Sequence, residues 1–393
     1  MTEPMQDGTP AIRTDGGDDA GDDGDEDYGL AEIVELEETT APAYPYQPRD
    51  PEDYDPGIAI VGTGGISEQH LKAYTAAEYD VVALCNRTVE KAEDRKEEFG
   101  LDDADVYADY EDVLARDDVE VVDVTPHPEQ RVPIVADALR AGKHVLSQKP
   151  FATDLDDAER LVDLADENDV TLAVNQNGRW APHFAYLRHA VADGLIDEVH
   201  GVACNVHWDH NWVGETPLDD VEHIVLYDFA IHWFDVVTQL VDASPERVYA
   251  NYEPSPSQTA SPPLLGSAIV AFEGAQATLT FDADTKLGPE DRTVVTGGGG
   301  TLKSEGPDLE DQSVTVYTEE GYATPELEGA WFPDGFHGAM AELLRAIEAD
   351  REPDNSGRDN LATLELTFAA VASAEDGEPK TPGDVRRLPE DAG

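Results

Sequence analysis

The sequence predicts an α/β N-terminal half built on a parallel sheet, followed by an α+β half with a mainly antiparallel open sheet. Three observations predict it. Short apolar runs alternate with helical segments between residues 57 and 178, the pattern of a sheet covered by helices on both faces. The first run opens directly into a glycine-rich turn, Gly62-Thr63-Gly64-Gly65. Beyond about residue 178 the strands recur at hairpin spacing with Gly-rich turns between them.

The elements follow in order. Ile58-Ala-Ile-Val61 is the first strand, and a helix runs from about Ser67 to Ala77. Val81–Cys85 and a helix over Val89–Phe99 repeat the unit. A helix near Tyr110–Ala115, the strand Val119–Val124, a helix near Arg131–Ala141, the strand His144–Ser147, a helix over Leu155–Glu167 and the strand Thr171–Val174 complete it. In the second half, helices near Phe184–Ala192 and Ile224–Leu240 flank the strand Glu198–Trp208. Strands near Arg247–Tyr252, Gly266–Phe272, Ala277–Ala283, Arg292–Thr296, Thr301–Lys303 and Ser313–Tyr317 follow, and helices near Phe336–Ala349 and Arg358–Ala374 close the chain. The division expected is an acidic disordered tail over 1–56, a first domain over 57–178, and a second over 179–385.

The chain has 393 residues and a formal net charge of −61. So few cations exclude a nucleic-acid binder that works through a basic patch, and they disfavour an anionic membrane surface. No stretch reads as a membrane span: Ile224–Val241, the most apolar, contains Asp228, His232, Asp235 and Gln239. The N-terminus lacks the basic-then-apolar pattern of a signal peptide, and two cysteines are too few for a disulfide framework, so a reducing cytoplasm is expected. Residues 1–56 carry a net charge of −16 and lack hydrophobic periodicity, yet the remaining residues still carry −45. A folded body this acidic repels itself at low salt, whereas molar salt shrinks the Debye length to about 3 Å. The composition therefore predicts a halophilic protein.

The turn Gly62-Thr63-Gly64-Gly65-Ile66-Ser67 fits G-x-G-x-x-[small] between a strand and a helix. Gly62 permits the tight turn, Gly64 lets the backbone approach a pyrophosphate, and Ser67 is small enough for helix–strand packing. That is the dinucleotide fingerprint of a Rossmann domain. Asn86-Arg87-Thr88 ends the second strand, where an acid would chelate the ribose 2′-hydroxyl of NAD. The acid is missing, and Arg87 is suited to grip a 2′-phosphate, which favours NADP over NAD; an Arg87 that only stacks on adenine would admit both. Lys149, in Ser147-Gln148-Lys149-Pro150, sits at the carboxyl end of a parallel strand, where such sheets place ligands. Asp228 and His232 stand four apart in an apolar helix, so the pattern puts both on one face, as a carboxylate orienting an acid/base imidazole or as a buried structural pair. His207-Trp208-Asp209-His210-Asn211-Trp212 offers a polar-aromatic wall for a sugar, or simply packs. As a metal site it is poor, because His207 and His210 point to opposite sides of a strand, so no metal is expected.

Together, the G-x-G-G-I-S turn, the Q-K-P motif at Gln148–Pro150 and the D-x-x-x-H helix at Asp228–His232 resemble the Gfo/Idh/MocA oxidoreductases, over about residues 57–385. The resemblance implies hydride transfer between a nicotinamide cofactor and a sugar, polyol or related alcohol or ketone. It implies that Lys149 binds and polarises the reacting oxygen, that His232 is the acid/base group and that Asp228 is its partner. It places ligand contacts near Arg179 and Trp180, and it implies a homodimer or homotetramer through the C-terminal sheet. The family usually has Glu where Gln148 stands, which removes any carboxylate role there. Two rival readings share this fold: a catalytically silent cofactor- and sugar-binding regulator, and an NAD-dependent glycosidase or lyase that cycles hydride internally.

Overall fold

The computed structural model describes residues 10–13 and 32–388. A first pair of strands, β1 (Pro10–Arg13) and β2 (Glu32–Glu35), forms an antiparallel ladder. Residues 36–56 fall within the expected acidic tail, yet they lie against the body. The Tyr186 hydroxyl donates to the Pro42 carbonyl at 2.9 Å, Tyr44 stacks edge-on against Tyr186, and the amides of Glu52 and Asp53 donate to Glu348. The tyrosines supply apolar area that the acidic composition hides from a window average.

The first sheet has six parallel strands in the order β5 (Asp105–Tyr107), β4 (Val81–Cys85), β3 (Ile58–Val61), β6 (Val121–Val124), β7 (His144–Gln148), β8 (Leu172–Asn175). All four residues of β3, β6 and β8 are buried, as expected of strands covered on both faces. The covering helices are α1 (Ser67–Ala76), α2 (Val89–Phe99), α3 (Tyr110–Leu114), α4 (Pro128–Arg140) and α5 (Leu155–Glu167). The strand order reverses between β3 and β6, and ligands of such sheets bind outside the strand ends at that reversal.

A short 3₁₀ turn, Asn177–Trp180, and α6 (Pro182–Ala192) lead into the second sheet. Its central strand β9 (Val199–His207) pairs parallel with β12 (Ala275–Asp282) and antiparallel with β13 (Glu290–Gly297). β10 (Pro245–Glu253) and β11 (Leu265–Phe272) extend one side; β14 (Gly300–Gly306), β15 (Ser313–Thr318) and β16 (Gly321–Ala323) extend the other. Along β9, Val202, Cys204 and Val206 are buried and the residues between them are not. This period-two alternation puts one face on the core and leaves the other open.

The C-terminal helices return to the first sheet. α7 (Ile231–Leu240) packs against α9 (Gly357–Asp376), which also meets α5. In α8 (Trp331–Glu348), Phe336, Met340, Leu343 and Leu344 share one buried cluster with Ile58, Ile60, Leu71, Tyr74, Leu146 and Ala173. A segment that the sequence division assigns to the second half thus completes the core of the first. No helix among the described residues is long and apolar enough to cross a membrane.

Candidate active site

The glycine turn sits at the reversal point. Gly62 adopts φ +99°, and a Cβ there would lie 2.6 Å from Thr125 Oγ1, so only glycine fits. The Thr125 hydroxyl donates to the Gly62 carbonyl at 2.6 Å, which ties the turn to the end of β6. A Cβ on Gly64 or Gly65 would meet nothing within 4 Å; both face open space, as a cradle for a pyrophosphate requires. Buried Ser67 donates to the Gly64 carbonyl at 2.7 Å, and Ile66 is exposed beside it. These residues fit a dinucleotide.

Asn86 holds the turn from the β4 side: its Oδ1 accepts from the Thr63 amide at 3.2 Å, and its amide donates to the Thr88 carbonyl at 2.9 Å. Arg87 is exposed over the crevice and donates to Gln130 Oε1 at 2.9 Å, at the start of α4. Buried Arg131, also on α4, donates to the carbonyls of Pro126 and Pro150, joining the loops after β6 and β7. Burial lowers its pKa to about 10, and it remains a cation at neutral pH.

Lys149 follows β7 and reaches across to the second domain. Its Nζ lies 3.0 Å from Asp228 Oδ1 and donates to the Asp228 carbonyl at 2.8 Å. The expected Asp228–His232 pair does not form. Val225–Phe229 is a π-helical turn, and its wider winding takes Asp228 off the face that four-residue spacing would give it. The carboxylate turns to Lys149, and His232 Nδ1 is buried without a hydrogen-bond partner. Burial first, and then the Lys149 ammonium, hold His232 well below the usual imidazole range, so the ring is neutral at pH 7. Lys149, Asp228 and His232 therefore do share one site, with Lys149 at its centre.

The other four expected contacts lie apart from Lys149. Arg179 is fully buried: its Nε and Nη2 clamp Asp235 at 2.7 and 2.6 Å, and Nη2 also meets Asp359 at 2.5 Å. Its guanidinium is taken up by protein carboxylates. Trp180 packs on Gly338 of α8 and lies under the Arg188 guanidinium. His207 falls on the open side of its strand and lines a groove of about 560 Å³ with Gly288, Glu290 and Glu305. Trp208 lies on the inner side, stacked on His210 and near Trp233.

Residues 57–176 match the family described as "Oxidoreductase family, NAD-binding Rossmann fold", and residues 184–303 match the "GFO/IDH/MocA C-terminal domain". The chain belongs to the GFO/IDH/MocA oxidoreductase family. Within it, the chain is 26% identical over 346 residues to D-apiose dehydrogenase of Paraburkholderia graminis, covering 81% of this chain and 88% of that one. It is 24% identical over 326 residues to inositol 2-dehydrogenase of Rhizobium meliloti, covering 80% and 96%. Among solved structures, an oxidoreductase from Agrobacterium radiobacter in complex with NAD+, L-tartaric acid and magnesium superposes with a TM-score of 0.75 at 20% identity, over 84% of this chain and 99% of that one. At that identity the structural likeness speaks for the fold.

Sequence reasoning missed Thr125, Gln130 and Phe229, although it included His210 in the expected polar-aromatic wall. Thr125 was findable, because it ends the strand across the reversal point from the glycine turn. His210, Phe229 and Trp212 stack into one aromatic edge next to Asp228, with His210 and Phe229 rings 4.3 Å apart. Only the tertiary fold brings Phe229 to the other two.

Proposed function

We propose that this family member is a dehydrogenase or reductase of a small polyhydroxylated compound, a sugar, a polyol or a related ketone, working with NADP(H) in preference to NAD(H). The carrying observation is the Lys149 ammonium, fixed by Asp228 and facing a neutral His232, at the strand ends beside an open glycine turn. The nicotinamide, when bound, accepts or delivers hydride. Lys149 stabilises negative charge on the reacting oxygen, and His232 takes or returns the hydroxyl proton. His232 Nδ1 is buried without a partner, which leaves Nε2 as the ring nitrogen for this proton transfer. A neutral imidazole beside an ammonium is ready to accept a proton without first losing one.

The NADP preference rests on the absence of an acid at position 86 and on the exposed Arg87 guanidinium at the crevice. The polyhydroxylated substrate class rests on the inositol and D-apiose dehydrogenases to which the chain is similar. A homodimer or homotetramer through the open sheet face is supported by Tyr249 and Ile269, 43% and 54% exposed there. The charge of −61 supports a cytoplasm rich in salt.

The test is a fluorescence titration in molar KCl with NADPH, then NADH, on the wild type and Arg87→Ala. NADPH binds the wild type more tightly, and Arg87→Ala loses about tenfold for NADPH, the worth of one charge-assisted contact, while NADH affinity holds. Equal affinities in the wild type contradict the preference. Binding of cofactor with no turnover of any sugar or polyol favours the silent regulator, and binding of neither, in a folded sample free of retained cofactor, contradicts the nicotinamide-dependent reading. Retained cofactor with no net reduction of added cofactor favours the internal hydride cycle.

A further inference from the structure

Beneath the site lies a polar cluster that the proposed chemistry does not use. His70, on α1 one turn past the glycine loop, is fully buried. Its Nδ1 lies 2.6 Å from Asp123 Oδ2 on β6, which also accepts from the Tyr74 hydroxyl at 2.7 Å. Its Nε2 lies 3.2 Å from Gln148 Nε2 on β7 and 3.3 Å from Asn175 Nδ2 on β8. The Phe336 ring of α8 packs edge-on at 4.9 Å and closes the cluster.

These contacts have one consistent direction. The Asp123 carboxylate has only acceptors, so Nδ1 carries the proton. Nε2 then offers its single lone pair, which the amide N–H groups of Gln148 and Asn175 share as donors. This turns the Gln148 carbonyl oxygen outward, where it accepts the Lys149 backbone N–H at 2.7 Å. The chain of hydrogen bonds therefore runs from a buried carboxylate, through one imidazole and one amide, to the backbone of the lysine whose Nζ meets Asp228. A Glu at 148 would put a carboxylate oxygen against Nε2 and would require a second proton on the ring. The glutamine and the singly protonated imidazole are a matched pair.

The cluster is expensive as packing alone. Asp123 Oδ1 and Asn175 Oδ1 are buried without partners, and apolar residues of the same volume would join α1 to the sheet with no desolvation cost. What apolar residues would not supply is a fixed direction for the strand end that carries Lys149. We infer that His70, acting through Gln148, is a positioning residue for Lys149, holding that strand end in register with the helix that opens at the phosphate turn. This rests on the reading of Lys149 given above.

The test uses Gln148→Met, which keeps the volume and removes both hydrogen bonds, and His70→Phe, which keeps a ring. Four quantities are read in molar KCl: NADPH affinity by fluorescence, kcat and KM with myo-inositol and D-apiose as probes, thermal unfolding, and the acetic anhydride labelling rate of Lys149 relative to Lys72 by mass spectrometry. In Gln148→Met, NADPH affinity and KM stay within about threefold, kcat falls by about tenfold or more, and Lys149 labels at least about threefold faster relative to Lys72, because small displacements of a reacting group are costly. An unchanged labelling ratio in a folded variant overturns the inference, as does a lowered unfolding temperature with kcat and labelling intact. If His70→Phe does not fold, Gln148→Met decides alone. If the wild type turns over neither probe, the substrate reading fails for those compounds, and the labelling ratio still decides the positioning.

Discussion

Arg179 separates a ligand contact from a structural anchor, and the two make opposite predictions for Arg179→Met. The guanidinium is 0% exposed and clamps Asp235 through two bonds of 2.7 and 2.6 Å, with a third contact to Asp359 at 2.5 Å. Thr363 Oγ1 adds a bond to Asp235 Oδ1 at 2.8 Å. Unit charges about 3.5 Å apart at an effective dielectric of about 20 attract by roughly 5 kcal/mol. Removing the cation leaves Asp235 buried with a hydroxyl as its remaining side-chain partner, and breaking such a pair costs about 3–5 kcal/mol. Urea unfolding of wild type and variant in molar KCl measures this as a fall in midpoint at unchanged slope. Cofactor affinity and KM hold under conditions where the variant stays folded. A stability loss below about 1 kcal/mol, the range of surface pairs, with KM raised more than tenfold, would refute the structural reading and return Arg179 to the substrate pocket.

Two further predictions concern charge. His232 is held below the usual imidazole range by burial and by Lys149, so its deprotonated form persists below pH 6.5 and the acid limb of the oxidation rate lies there. A folded-state pKa below the unfolded one means that the unfolded chain binds the extra proton, so this histidine lowers stability as pH falls through about 6.5 and below. Lys149→Met removes one of the two causes and moves the His232 titration, followed by imidazole NMR, back toward 6.5; an unmoved titration would show that the ammonium does not act on the ring. Even with each of the 25 cations paired, 61 acidic side chains remain unpaired, so the urea midpoint rises steeply between about 0.1 and 3 M KCl, and a flat response argues against adaptation to salt.

Five of the six strands of the first sheet were legible as short, mainly apolar runs, and its turn carries glycines with assignable tasks; β5 was not, because Asp105–Tyr107 is three residues long, begins with an acid and is only partly buried. Lys149 was legible from position alone, as a cation at the end of a parallel strand. Asp228 and His232 were legible as site residues but not as a pair, because four-residue spacing assumes an α-helix, and the winding at Val225–Phe229 is wider. Arg179 looks like a ligand residue in sequence because nothing local reveals Asp235 and Asp359, which lie 56 and 180 positions later in the chain. His207 was assigned by residue type, whereas its side is set by the register with Glu290 and by the alternation of β9. His70 was silent for the same reason: its partners come from β6, β7 and β8.

The central claim is that Lys149 and His232 carry hydride-transfer chemistry on a polyhydroxylated substrate. The measurement that tests it most directly is reduction of NADP+ and NAD+ in molar KCl against a panel of sugars and polyols that includes myo-inositol and D-apiose, for the wild type, Lys149→Met and His232→Ala. The account predicts turnover by the wild type on at least one panel member. In each variant kcat falls by about 10² or more, the worth of a charge-stabilising or acid/base group, while NADPH affinity stays near that of the wild type. Near-wild-type turnover in both variants would contradict the account.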